Sequence, residues 1–203
     1  MDCQSFFKLL KSRRSIRKFA DRKLTRTQIE RLIEAASWAP SNHNRQGWKF
    51  MVFEDRRQIR MLANKARESV EKATQEAHRL AASRADELIH FAGAFDQSPV
   101  VILAMHKKSP AVGRSLLAHA TSELASGEAL STAMAVQNLL LTAHAMGLGT
   151  CVMTVPLLAG DVWKSLRDFP AGFEPTCLVA LGYPADMPAA PRRKNLEHIL
   201  EYR

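Results

Sequence analysis

Three short segments carry side chains whose types and spacing suit the binding of an anionic or flat ligand. The first is the run Arg13-Arg14-Ser15-Ile16-Arg17. Each guanidinium group offers a planar fork of donors that matches phosphate oxygens, and the serine hydroxyl adds another donor. Taken alone, such a run is equally typical of a solvated basic turn or of a nucleic-acid contact.

The second segment is a polar loop from Pro40 to Gln46, which lies between a predicted helix and a predicted strand. Serine, asparagine and glutamine side chains both donate and accept hydrogen bonds. Such a set suits a sugar-alcohol chain or the edge of a heteroaromatic ring. The same residue types also form ordinary turns, so the loop is not decisive by itself.

The third segment runs from Gly147 to Thr154 and combines two glycines with an apolar stretch. Glycine lets the backbone approach a flat ligand closely. The alternative is a helix end followed by a buried strand. A dinucleotide-binding fingerprint is excluded, because Val152 stands where a third glycine is required and a helix, not a strand, precedes the segment.

The sequence lacks the motifs of several common catalytic centres. It contains no G-x-S-x-G, H-E-x-x-H, P-loop or C-x-x-C motif. Its seven histidines and three cysteines show no metal-ligand spacing, so no metal site is predicted. Three cysteines without a framework fit a reducing compartment, which predicts a cytoplasmic protein. Cys151 is predicted to be a buried strand residue and not a redox thiol.

Charge and hydropathy narrow the choice of partner only in part. The net charge of +9 predicts an anionic partner. Nucleic acid, a phosphate-bearing cofactor and anionic lipid all satisfy that condition. The longest apolar stretch, Glu128 to Met146, contains several polar residues. It therefore predicts a buried helix and no membrane span.

The pattern of apolar residues places the three segments between helices and strands. Thr25 and Gln28 form a capping-box pair at the start of a helix that ends before Pro40. Other helices are predicted at 6–10, within 56–92, at 127–146 and at 161–168. Strands are predicted at 48–54, 100–105, 150–155 and 176–181. The 203 residues suit one domain, 1–203, of the α/β or α+β class, with the apolar helix at its centre.

Together, in this order and at these distances, the three segments resemble the nitroreductase family of FMN enzymes. The resemblance covers nearly the whole chain, and the tail Pro191-Arg192-Arg193-Lys194-Asn195-Leu196 is similar to the family's C-terminal basic motif. It implies an α+β sandwich in which helices surround a central, mostly antiparallel sheet. It also implies an intertwined homodimer with two FMN molecules in the interface, each touched by both chains.

The resemblance assigns binding roles by position and assigns no catalytic side chain. The phosphate and ribityl end of FMN would meet Arg13, Arg14, Ser15 and Arg17, and the site would be closed by Arg193 and Arg192. The partner subunit would contribute Pro40, Ser41, Asn42 and Asn44. The isoalloxazine ring would lie against Val152, Met153 and Thr154, just after Gly149 and Thr150. Ser131 of the long helix is a further candidate.

The activity implied is NAD(P)H-dependent reduction of nitroaromatic, quinone or similar electron-poor acceptors by a ping-pong mechanism. FMN carries the chemistry, which accounts for the missing catalytic motifs. Segments 56–97 and 107–126 match the family least, and in the family these regions cover the substrate site. Reductive dehalogenation and flavin destruction are therefore alternatives on the same fold. A basic nucleic-acid-binding protein is a third alternative, although no recognition helix or aromatic stacking motif supports it.

The chain departs from the family pattern in one place. The family commonly has Gln-Pro-Trp, and this chain has Gln46-Gly47-Trp48. Because glycine has more backbone freedom than proline, the departure questions the rigidity of the polar loop more than its role.

Overall fold

The computed structural model describes residues 2–76, 84–108 and 127–203. Within these ranges its sheet has four strands, which lie side by side in the order 48–53, 100–107, 173–182 and 149–153, and every neighbouring pair is antiparallel. This sheet confirms the α+β class that the resemblance implies. The strands are β1 (Trp48–Phe53), β2 (Val100–Lys107), β3 (Gly149–Met153) and β4 (Phe173–Gly182).

Six α-helices accompany the sheet in the described part of the chain. They are α1 (Cys3–Ser12), α2 (Arg26–Ser37), α3 (Arg56–Glu76), α4 (Ala85–Ala92), α5 (Gly127–Ala145) and α6 (Gly160–Lys164). Short 3-10 turns occur at Asn42–Asn44, Val155–Leu158 and Leu196–His198. Within the described ranges, no helix is both long enough and apolar enough to cross a membrane. Most of the weakly matching segment 107–126 lies outside those ranges.

Helices cover both faces of the sheet, and its central strands β2 and β4 are the most deeply buried. On one face, α2 and α5 pack against alternate residues of β2 and β4, among them Ile102 and Val179. On the other face, α3, α4 and α6 cover the intervening residues, among them Leu103 and Leu178. This arrangement explains why β2 is a continuous apolar run, as expected of a strand without a solvent face.

Helix α5 is the predicted central helix, and Gly147 ends it. Gly147 has a φ of +72°, which a residue without a Cβ adopts without strain. The Leu148 N–H then donates to the Ala143 carbonyl at 2.8 Å, as in the usual glycine-terminated helix end. The chain passes directly from this turn into β3.

Several predicted boundaries differ from the structure. α1 extends beyond the predicted 6–10 at both ends, and β2 continues to Lys107 and not only to 105. Three other differences have a physical cause. β4 begins at Phe173 and not at 176, because a β-bulge at Thr176 of β4, opposite Ala104 and Met105 of β2, lets Pro175 remain within the strand. β3 ends at Met153, since a 3-10 turn that includes Pro156 follows it. α6 ends at Lys164, and turns occupy the remaining residues up to Pro170.

The predicted capping box of α2 is present. The Gln28 N–H donates to Thr25 Oγ1 at 3.2 Å, and the Thr25 N–H donates to Gln28 Oε1 at 3.0 Å. The box thereby satisfies the Thr25 N–H and gives the Gln28 N–H a second acceptor beside the Thr25 carbonyl, at 3.1 Å. The helix then buries Ile29, Leu32 and Ala36 against the core.

Replacing Thr25 by alanine should therefore destabilise the fold by about 1 kcal/mol, the usual cost of losing an N-cap. Thermal unfolding of the variant measures this cost. Thr27→Ala is the matched control, because Thr27 is an exposed residue of the same helix. Equal unfolding midpoints for the two variants would show that the box contributes nothing to stability.

Candidate functional site

The arginine run lies alongside β3, so the structure brings the first and third sequence segments together. The Ile16 N–H donates to the Thr150 carbonyl at 2.9 Å, and Ser15 pairs with Thr150 in an isolated parallel bridge. A Cβ at Gly149 would lie 2.8 Å from the Ile16 side chain. Glycine at 149 therefore permits this close approach.

The residues that follow the run are held to the chain beyond β4. The Ala20 N–H donates to the Tyr183 carbonyl at 2.8 Å, and the Ala185 N–H donates to the Lys18 carbonyl at 3.0 Å. These backbone bonds fix the arginine run from both sides. They also bring the basic C-terminal tail close to it.

A cavity of about 320 Å³ opens between the run and the tail. Four arginines and one serine line it, and among the residues that the structure describes no acidic residue does so. This donor set has the chemistry that recognises a phosphate group. The charged and hydroxyl residues are Arg13, Arg14, Ser15, Arg17 and Arg193. Arg192, the other predicted tail residue, is exposed and does not line the cavity.

A second cavity of about 260 Å³ adjoins β3, and Arg17 lines both cavities. The second cavity has a largely apolar wall that includes Val152, Met153 and Phe91, with hydroxyl groups from Ser98 and Thr154. A basic cavity that shares Arg17 with a largely apolar one suits a ligand with an anionic end and a flat, largely apolar end.

Seven residues that line the second cavity were not predicted as binding residues. Three of them, Cys151, Val155 and Ala180, belong to β3, to the turn after it and to β4. The other four lie outside these elements. They come from the residues after the arginine run, from α4 and from the turn before β2: Phe19, Phe91, Ala94 and Ser98. No local pattern marks them, because tertiary packing alone brings them to β3. Phe91 falls in the segment that matches the family least.

The four arginines of the basic cavity are not equivalent. Arg14 Nη1 donates to the carbonyls of Lys11 and Arg13, at 2.6 and 2.9 Å, and so satisfies backbone acceptors at the end of α1. The Arg17 guanidinium forms no hydrogen bond or ion pair with any residue that the structure describes. Arg17 is therefore the better placed of the two to bind a ligand.

Cys151 has the surroundings of a packing residue. Burial raises the pKa of its thiol above the usual value, although the positive charges of Arg17 and Arg13 partly oppose this. Burial also raises the pKa of Cys177, to about 12. A protonated, buried thiol is a poor nucleophile, which supports the interpretation of Cys151 as a buried strand residue.

The polar loop, the second sequence segment, is anchored on the first turns of α5. The Asn42 N–H donates to Ser131 Oγ at 3.0 Å, and Ser131 Oγ donates to the Gly127 carbonyl at 2.7 Å. Ser131 thus holds the loop, which explains its polar character within a buried helix. The Gln46 N–H closes the loop by donating to Ser41 Oγ at 2.9 Å.

The backbone of this loop is strained. His43, Asn44 and Gln46 have φ values of 51°, 52° and 49°, in the left-handed region. Each such residue costs about 1–3 kcal/mol and persists only where its surroundings enforce it. Strain of this kind is concentrated at ligand-binding sites, which marks the loop as a candidate for binding.

Within one chain, however, the polar loop and the arginine run lie at opposite ends of α5. The loop meets the start of this helix, whereas Ser12, next to the run, lies 2.7 Å from His144 at its end. A helix of 19 residues is about 28 Å long. One ligand could therefore meet both segments only if a second copy of the chain supplied the loop.

His144 lies behind the basic cavity, and its titration gives a prediction. Burial, followed by the positive charges of Arg13 and Arg14, lowers the pKa of His144 below 6.5. The unfolded chain therefore binds a proton more readily than the folded one, so stability falls as the pH drops through 6.5. Between pH 7.5 and pH 5.5, the unfolding midpoint should fall less in His144→Gln than in the parent.

His198→Gln is the control for this comparison, because His198 is exposed in the tail. Some acid sensitivity should remain in His144→Gln, since burial also lowers the pKa of His106. An unchanged acid-side loss in His144→Gln would show that His144 does not titrate in this window.

Comparison with known proteins identifies the family. The model described as "Nitroreductase family" matches residues 10–183. A putative NADH dehydrogenase/NAD(P)H nitroreductase of Methanothermobacter thermautotrophicus is 28% identical over 196 residues, covering 93% of this chain and 84% of that protein. Iodotyrosine deiodinase 1 of Homo sapiens is 26% identical over 206 residues, covering 97% of this chain and 68% of that protein.

Solved structures with the same fold have lower sequence identity. A BluB-like flavoprotein from Clostridium difficile 630 has a TM-score of 0.81 at 24% identity, covering 100% of this chain and 99% of that one. A nitroreductase with bound FMN from Desulfitobacterium hafniense DCB-2 has a TM-score of 0.72 at 18% identity, covering 100% of both chains. Because the family model matches most of its length, this chain belongs to the nitroreductase family.

Proposed function

We propose that this protein is an FMN-dependent oxidoreductase that uses NAD(P)H to reduce nitroaromatic, quinone or similar electron-poor acceptors by a ping-pong mechanism. One observation carries the proposal: Arg17 lines both a cavity rich in arginines and a largely apolar cavity along β3. FMN has the same division, with a phosphate at one end and a flat ring at the other. The oxidoreductases named among the relatives support the proposal.

The residues present fit FMN by the chemistry of their donors. Arg13, Arg17 and Arg193 offer charged donors to a phosphate, and Ser15 offers a hydroxyl. Val152 and Met153 would form an apolar surface for one face of the ring, and the Thr154 hydroxyl could donate to its polar edge. When bound, FMN would supply the electron transfer, so the protein's part is to bind, to orient and to exclude water.

The proposed active form is a homodimer. Several large apolar residues of α1, α5 and the tail are exposed in the single chain, and exposed apolar patches of this kind mark interfaces. In the dimer, the polar loop of one subunit would reach the cofactor held by the arginines of the other. The exposed apolar residues include Phe6, Phe7, Leu10, Leu130, Met134, Leu196, Ile199 and Tyr202.

We place the protein in the cytoplasm, because its cysteines are free.

The proposal is tested by purifying the protein, adding FMN if needed, and recording its visible spectrum. We expect a yellow protein whose bound flavin is bleached anaerobically by NADH or NADPH and recovers its colour when an acceptor is added. A protein that remains colourless with FMN present would overturn the proposal.

A second candidate reaction on the same site is reductive dehalogenation. The relationship to iodotyrosine deiodinase 1 over nearly the whole chain favours it. Anaerobic turnover of the reduced protein with halophenols, alongside nitroaromatic and quinone acceptors, distinguishes the two reactions. Halide release would support dehalogenation, whereas turnover of nitroaromatics and quinones without halide release would support the first proposal.

A further inference from the structure

Glu128, in the first turn of α5, is a buried carboxylate outside the cavities described above. Its side chain is only 6% exposed. Oε1 lies 3.4 Å from Nη1 of Arg45 in the polar loop. Oε2 has no hydrogen-bond partner among the residues that the structure describes. Burying a carboxylate with an unpaired oxygen is unfavourable, so the position requires a reason.

Gly47, the residue that departs from the family pattern, faces this carboxylate. A Cβ at position 47 would lie 2.6 Å from Glu128 Oε2 and 3.5 Å from the Lys107 Cβ. Gly47 cannot move aside easily, because its carbonyl accepts from the Lys107 N–H at 2.7 Å. The absence of a side chain at 47 therefore leaves the space that Glu128 occupies.

The same helix turn holds both halves of the strained loop. Ser131 accepts from the Asn42 N–H, and Glu128 pairs with Arg45, which lies between the left-handed residues Asn44 and Gln46. Left-handed non-glycine residues persist only where neighbouring structure enforces them. The first turn of α5 supplies these contacts to the loop.

We propose that Glu128 is a positioning residue that holds the polar loop in its strained conformation, and that Gly47 is required because the Glu128 carboxylate fills the space of a side chain there. The inference rests on the proposed function, in which Asn42 and Asn44 of this loop contact the cofactor of the partner subunit. Gly47 then makes the loop more firmly held, and not looser, than its backbone freedom implies.

The test compares Gly47→Ala, Glu128→Ala, Glu128→Gln and the double variant Gly47→Ala/Glu128→Ala in the full-length protein. FMN affinity is measured by fluorescence titration, and apo-protein stability by thermal unfolding. Gly160→Ala is the matched control, because a Cβ there meets nothing within 4 Å. We expect each alanine variant to weaken FMN binding about tenfold and Glu128→Gln by less than about threefold, since glutamine keeps the shape and one oxygen.

The double variant decides whether the two residues act together. If the carboxylate and the space at 47 act as one unit, the FMN affinity of the double variant should match that of either single variant. Multiplied defects, or a Gly47→Ala variant that behaves like Gly160→Ala, would overturn the inference. The inference would also be overturned if FMN affinity fell only in step with the unfolding midpoint and if Glu128→Gln did not restore it. A parent protein that does not bind FMN would instead overturn the proposed function itself.

Discussion

Replacing Arg17 by alanine should weaken FMN binding about ten- to a hundredfold, because the loss of one charged hydrogen bond costs about 1.5–3 kcal/mol. Arg17 is the residue expected to show this most clearly, since it lines both cavities. Its guanidinium also has no competing partner among the described residues. Arg14, in contrast, already donates to two backbone carbonyls. Fluorescence titration of the apo-protein with FMN measures the effect.

Two further variants make the Arg17 result specific. Arg31→Ala removes the same charge from an exposed position on α2 and should leave FMN affinity unchanged. Arg17→Lys keeps the charge but loses the planar fork, so its affinity should fall between those of the parent and Arg17→Ala. If Arg17→Ala and Arg31→Ala bind FMN equally well, Arg17 does not hold the phosphate.

Local patterns in the sequence were sufficient to predict most elements of the fold. The capping box at Thr25, the glycine end of α5 and the apolar run of β2 each reflect interactions within a few residues of one another. The predicted boundaries failed where a tertiary contact intervenes. Pro175 remains inside β4 because this strand has a β-bulge at Thr176, and that bulge is defined only by the register of β4 against β2.

For the candidate site too, the sequence predicted the local segments but not the contacts between residues that are far apart in the chain. The basic run and the glycine-containing strand were recognised as segments, but their pairing through Ser15 and Thr150 joins residues that are far apart in sequence. Phe91 and Ser98 reach the apolar cavity through packing alone, and their residue types carry no signal of binding. The sequence gives no indication of a role for Glu128 beyond its place at the start of an apolar stretch, because its relation to Gly47 exists only in three dimensions.

Introducing a charge at Met134 should separate the proposed dimer and abolish FMN binding together. Met134 is 41% exposed and lies one turn from Leu130, which is 61% exposed, on the outer side of α5. In a symmetric interface, Met134→Glu would bury two carboxylates without partners, which costs several kcal/mol for each. We expect a monomer by analytical ultracentrifugation and a loss of FMN affinity of more than about a hundredfold.

Met61→Glu is the matched control, because Met61 is a methionine of α3 with 47% exposure. It should remain dimeric and bind FMN. A Met134→Glu monomer that still binds FMN like the parent would show that one chain forms the site alone, contrary to the separation of its two segments along α5.

Subunit mixing tests that separation directly. Arg17→Ala and Asn44→Ala should each impair both sites of their own homodimer, one through the arginine run and the other through the polar loop. When the two variants are unfolded and refolded together, a mixed dimer carries both defects in one site and neither in the other. The appearance of high-affinity FMN binding only after mixing would mean that loop and arginines come from different subunits. Its absence, with mixed dimers demonstrated, would mean that each subunit binds FMN with its own loop, and the length of α5 makes that the less favourable geometry.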